Sequence, residues 1–236
     1  MRNYFSLSQG MSIFNFNLHS LRHSTFPVQY SIFNSPSVSF LIMRLFWVCC
    51  LRLFGWKAVD PFPYHLKKCV VIVAPHTSNW DFVVGLAFRS YLRITHARFL
   101  GKSQLFKSPF GFFFRYLGGI PVDRSRKHQL ADQLADMFAK EDDLLLVLAP
   151  EGTRKKVDKL RTGFYHIAKK ANVPIVMAGF DFAKKELRIA QPFLAGDDEA
   201  ADFRRIHSYY ARIQGKFPER SFAYKSPDTP DIYDSH

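Results

Sequence analysis

Apolar residues along this chain fall into two kinds of run. Unbroken blocks occur at 69–74 (CVVIVA), 144–149 (LLLVLA) and 174–180 (PIVMAGF). They have no polar face, which predicts strands covered on both sides. LRIAQPF at 187–193 predicts a fourth strand, with shorter extended pieces at 97–100 and 120–122. Between the strands the apolar residues take helical spacing. Helices are expected at 79–92, at 126–140 with Leu130, Leu134, Met137 and Phe138 recurring, and at 163–171 between Thr162 and Asn172. Another is expected at 198–214, with Phe203, Ile206, Tyr210 and Ile213 on one face and Gly215 ending it. Ser125 would cap the 126–140 helix. The very aromatic 109–117, PFGFFFRYL, predicts a helix or turn broken by Gly118 and Gly119. Strands that alternate with helices predict an α/β fold, a mostly parallel central sheet covered by helices.

The ends of the chain follow other rules. Residues 1–42 are rich in Ser, Asn and Phe and hold no acidic side chain; the first is Asp60. No helical or strand period persists there. The stretch is expected to be a disordered arm, or to lie upstream of a true start at Met43. A transit peptide fits less well, because Arg2 and Arg22 are few for that role. VSFLIMRLFWVCCLRLF at 38–54 approaches the length of a membrane span, but Arg44 and Arg52 lie inside it. That pattern predicts an N-terminal amphipathic helix at 43–60, lying on a membrane surface; a terminal helix packed on the domain is the alternative. The folded domain is expected at 61–217, and the polar, Pro- and Asp-rich 218–236 as a disordered tail.

Composition sharpens the choice of partner. The 236 residues suffice for one α/β domain with appendages, and the formal charge is +13. So basic a chain favours anionic partners: nucleic acid, acidic lipid headgroups or phosphorylated small molecules. The 25 Phe residues lie largely beside basic ones, as at an interfacial surface; a Phe-rich core is the competing reading. Cys49, Cys50 and Cys69 have neither zinc-like spacing nor the count of a disulfide framework. No P-loop, dinucleotide fingerprint, nucleophile elbow or nucleic-acid motif is present.

Three short constellations carry candidate chemistry. His76-Thr77-Ser78-Asn79-Trp80-Asp81 directly follows a predicted strand, and in open α/β sheets ligands gather at strand carboxyl ends. An imidazole with a reference pKa of about 6.5 accepts a proton near neutrality, and a carboxylate one turn on can hold its other nitrogen. The same residues also fit a helix cap in which Asp81 bonds only backbone. Gly118 to Arg124 combines glycines with a guanidinium suited to phosphate, or is a tight turn with an exposed Arg. Pro150-Glu151-Gly152-Thr153-Arg154 follows another predicted strand, and Lys155, Lys156, Lys159 and Arg161 deepen its positive field. It reads as a phosphate cradle or as a solvated turn.

Taken in order, HTSNWD, GGIPVDR, PEGTR and VPIV resemble the four sequence blocks of the glycerolipid acyltransferase family, over about residues 66–195. The resemblance implies that His76 is the catalytic base and Asp81 its partner. It implies that Arg124, Glu151, Gly152, Thr153 and Arg154 bind the acceptor and its phosphate, and that Val173-Pro174-Ile175 helps form a pocket. Pro75 stands where the family often has Asn, and Pro121 where it commonly has an aromatic. The implied activity is O-acyl transfer from acyl-CoA or acyl carrier protein to a lysolipid, with lysophosphatidic acid converted to phosphatidic acid. No metal or cofactor and no nucleic acid are expected. The expected partners are the acyl donor thioester, the lysolipid acceptor and an anionic membrane surface, with the enzyme peripheral on a cytoplasmic face. Thioester hydrolysis, a phosphate-free acceptor and a catalytically dead membrane-binding module are the alternatives.

Overall fold

Each unbroken apolar run becomes a strand with both faces covered. The computed structural model describes residues 36–107, 109, 111–122 and 127–222. Its seven-stranded sheet has the order β1-β7-β6-β2-β5-β3-β4. At its centre β2 (Lys68–Val73) pairs in parallel with β5 (Leu144–Leu148) on one side and β6 (Ile175–Asp181) on the other. β3 (Arg98–Lys102) adds to β5, and β4 (Gly119–Val122) to β3, both in parallel. Only β7 (Glu186–Ile189) runs antiparallel to a neighbour, β6, from which a tight turn separates it. In that turn Asp181 Oδ1 accepts from Ala183 N and Lys184 N.

Alternation within the apolar runs sorts their side chains into two cores. Val70, Ile72, Leu144, Leu146, Ile175 and Met177 point to one face. There they meet α5 (Lys127–Lys140), α6 (Gly163–Ala171) and α7 (Glu199–Tyr210) through Leu134, Phe138, Phe164, Ile167 and Ile206. Cys69, Val71, Leu145 and Val176 point to the other face, where α2 (Trp80–Tyr91) supplies Val84, Ala87 and Phe88. The hydroxyl of fully buried Tyr210 donates to the carbonyls of Ile72 (2.7 Å) and Ala178 (3.3 Å), fastening α7 to β2 and β6. Asn172 closes α6 in the left-handed region, where its short side chain is tolerated.

The helix expected at 43–60 is displaced. α1 runs Pro36–Leu53, and Gly55 at φ +75° turns the chain out of it. Lys57–Ala58 then forms β1, pairing in parallel with β7, where helix was expected. Two residues of strand leave no readable period. Of the stretch before Phe40, which clusters apart, only the opening of α1 is described. From Leu41 onward α1 turns Trp47, Val48 and Leu51 inward, while Leu41, Ile42, Met43, Leu45 and Phe46 are each at least 50% exposed. Arg44 lies half-buried and Arg52 exposed, so the two do not share one polar stripe. Among the described residues no helix is long and apolar enough to cross a membrane. The tail expected at 218–236 opens with a 3₁₀ turn, Pro218–Arg220; residues 223–236, Ser125 and the extension 1–35 lie outside the described residues.

α3 (Ser103–Lys107) and α4 (Gly111–Tyr116) fill the β3-to-β4 connection. α3 has no counterpart in the sequence expectations, and α4 falls within the aromatic 109–117. The helix expected at 198–214 stops at Tyr210, yet Ile213 still packs into the core from the segment that follows.

Candidate active site

The loop after β2 brings a histidine and a carboxylate together. His76 Nδ1 lies 3.0 Å from Asp81 Oδ2. Asp81 occupies the inward stripe of α2 with Val84 and Phe88, which explains why a carboxylate is only 4% exposed. The same Oδ2 accepts from the backbone N–H groups of Thr77 and Ser78, each at 2.9 Å. Ser78 Oγ in turn accepts from Trp80 N at 3.1 Å. The helix cap and the His–Asp pair are therefore one structure, built on one oxygen. An acceptor at Nδ1 selects the tautomer with its proton there, leaving the Nε2 lone pair to take a proton from a substrate. The His76 side chain is 28% exposed, so that nitrogen can be reached.

Glu151 stands behind this pair. It is 2% exposed, and its Oε2 accepts from the His76 backbone N–H at 2.6 Å. Burial pushes its carboxyl from the ordinary 4.5 to about 8; the His76 N–H opposes the rise and the nearby Asp81 adds to it. The resemblance assigns Glu151 to the acceptor, whereas the geometry turns it toward His76.

Around Glu151 the chain folds back tightly. Gly152 N donates to Ala149 O (3.1 Å) and Arg161 N to Pro150 O (2.9 Å). Gly152 has φ +65°, a left-handed conformation that favours glycine, and a Cβ there would lie 2.6 Å from Nε of the Arg161 side chain, which would have to shift. Thr153 Oγ1 accepts locally from Lys155 N at 3.3 Å. Arg154 is exposed and makes no ion pair among the described residues. Arg124 lies outside the described residues.

The fourth block is elsewhere. Ile175 pairs with Val70, at the amino end of the central strands, while His76 follows their carboxyl ends. Val173 and Ile175 are buried in the core, and the Pro174 carbonyl accepts from Val70 N at 3.0 Å. VPIV is a core segment at the strand end opposite His76, because the rise of about 3.3 Å per residue separates the two ends of a strand. Two contributors had no sequence signal that linked them to the site. Tyr210 ties the carboxyl end of β2 to the middle of β6, and the segment after α7 reaches Thr77, where Phe217 N donates to Thr77 Oγ1 at 3.2 Å. Among the described residues no cluster of His, Cys, Asp and Glu could hold a metal ion.

Comparison with known proteins bears on the same stretch. A 1-acyl-sn-glycerol-3-phosphate acyltransferase of Streptococcus pneumoniae is 33% identical over 158 residues, 62% of this chain. The match spans 58% of that relative's length. The crystal structure of the 1-acyl-sn-glycerophosphate acyltransferase PlsC from Thermotoga maritima aligns with 76% of this chain and 83% of its own, at TM-score 0.47 and 18% identity. The model of the family described as Acyltransferase matches residues 57–180, more than half of the chain and a span that includes His76, Asp81 and the turn from Pro150 to Arg154. By that match the chain belongs to the acyltransferase family.

Proposed function

We propose that this protein transfers a fatty acyl group from a thioester, acyl-CoA or acyl carrier protein, to a hydroxyl of a glycerol-phosphate lysolipid. The observation that carries the reading is the 3.0 Å contact of His76 Nδ1 with buried Asp81, which leaves Nε2 for the acceptor hydroxyl. In the step, Nε2 takes the hydroxyl proton as the oxygen attacks the thioester carbonyl. The carbon–sulfur bond breaks, the proton passes to the leaving thiolate, and an ester and a thiol result. Asp81 stabilises the transient imidazolium. Lysophosphatidic acid is the first acceptor to test, on the resemblance of the four blocks and the basic turn at Arg154. Purified protein with labelled acyl donors and a panel of lysolipids should give a diacyl product of matching mass. Release of free fatty acid alone would make the protein a hydrolase.

Arg154 supplies the test of the phosphate. Charge-assisted hydrogen bonds contribute roughly 1.5–3 kcal/mol, about one to two decades in affinity. Arg154→Gln should raise the KM for a phosphate-bearing acceptor about tenfold or more and leave the donor's nearly unchanged. Normal handling of that acceptor by the variant would favour a phosphate-free one.

The reading also places the protein on the cytoplasmic face of an anionic membrane as a peripheral enzyme. Its support is the outward apolar face of α1, the exposed Phe112 and Tyr116 of α4, and the formal charge of +13. Protein should bind anionic vesicles less tightly as salt rises, and exchanging Leu45 and Phe46 for Ser should weaken binding about tenfold or more. Retention through an alkaline wash would point to an integral anchor instead.

A further inference from the structure

A lysine from outside all four motif blocks stands over the loop that carries His76. Beyond α7 the chain turns back across the site. The Gln214 carbonyl accepts from Phe182 N at 2.8 Å. Gly215 lies so close to the loop that a Cβ there would be 2.9 Å from Thr77 Oγ1 and 3.2 Å from Pro75 Cγ. Phe217 N donates to Thr77 Oγ1 at 3.2 Å. Lys216 is thus held between two residues that both touch Thr77, the neighbour of His76. Its ammonium lies 4.6 Å from the ring centroid of Trp80, which opens α2 and is 54% exposed. Lys216 forms no ion pair among the described residues.

We propose that Lys216 is a phosphate-binding residue of this active site, presented on the indole of Trp80 and taking a phosphate group of one of the two substrates. Three features favour a ligand over a solvated surface charge. The backbone on either side of Lys216 is anchored to the catalytic loop, so its position relative to His76 is set by the fold. The aromatic face orients the ammonium without neutralising it, and its N–H donors remain for anionic oxygens. A carboxylate partner would have consumed the charge, and none is present among the described residues. The inference rests on the acyl-transfer reading, since phosphate is common to a lysolipid headgroup and to coenzyme A or phosphopantetheine. It adds a site residue from beyond residues 57–180, the span of the family match.

The test compares full-length wild type, Lys216→Gln and Lys216→Arg. Kinetics use acyl-CoA with lysophosphatidic acid, and with a phosphate-free monoacylglycerol. Equilibrium binding of glycerol 3-phosphate and of coenzyme A is read from tryptophan fluorescence. Lys216→Gln should raise one KM about tenfold with kcat within about twofold, and Lys216→Arg should restore it. A rise for lysophosphatidic acid and not for monoacylglycerol assigns the acceptor's phosphate, and a rise for acyl-CoA assigns the donor's. Unchanged values for both substrates overturn the proposal. So does a lower kcat at constant KM together with a lower melting temperature, which would make the segment a structural clasp. If the wild type acylates no acceptor, the acyl-transfer reading fails, and the binding arm still decides Lys216. Dissociation constants for both probes that do not differ between wild type and Lys216→Gln overturn it there too.

Discussion

His76→Ala should lower acyl transfer by about 100- to 10,000-fold while the protein stays folded, because loss of a positioned general base has that effect. The side chain is partly exposed, and Asp81 Oδ2 keeps its bonds to the Thr77 and Ser78 N–H groups without it, so circular dichroism and the melting curve should change little. Turnover near that of the wild type in a folded variant would remove His76 from the chemistry. Asp81 tests the same site from the other side. Its Oδ2 serves His76 Nδ1 and the N–H groups of Thr77 and Ser78 together. Asp81→Asn should therefore lose both turnover and thermal stability. Lower stability with full activity would leave only the capping role.

Glu151 should separate position from charge. Glu151→Ala removes the acceptor of the partly buried His76 N–H, which should cost about 1–3 kcal/mol of stability and let the imidazole drift, a loss of about 100-fold in turnover. Glu151→Gln keeps an oxygen in place. With the carboxyl pushed up to about 8, the native side chain is mostly protonated at neutral pH, so the amide should support near-normal turnover there. The sign of the stability effect follows from linkage. Between 4.5 and about 8 the folded protein holds a proton that the unfolded chain releases, so Glu151's contribution is full below 4.5 and falls as pH rises to about 8. Melting temperatures of Glu151→Gln should lack that part of the decline. An inactive, folded Glu151→Gln protein would mean that the negative charge itself is needed.

Much of the fold was legible because the central strands are unbroken apolar runs and the covering helices keep a helical period. The mostly parallel sheet follows from that alternation. What escaped was local or short-range. β1 is two residues long, and the antiparallel direction of β7 is set by the tight β6–β7 turn, which leaves no mark in the apolar runs. The excess of Phe resolved both ways. Phe88, Phe138, Phe164 and Phe180 are core, whereas Phe46, Phe54 and Phe112 face solvent. Composition counts rings but does not say which side of an element they take.

The sequence alone determined the proximity of His76 and Asp81, because both lie within one loop and the first turn of the following helix, where spacing brings them together. Only the tertiary structure decided what the remaining residues do. Glu151 reaches His76 across the sheet because β2 and β5 are parallel neighbours in register, which sets their carboxyl ends side by side. VPIV falls at the opposite end of the neighbouring strand for the same geometric reason. Lys216 arrives over Trp80 from 136 residues along the chain, through the packing of Gly215 on Thr77. Contacts of that range depend on strand order and on close packing of backbones, and neither leaves a period in the sequence.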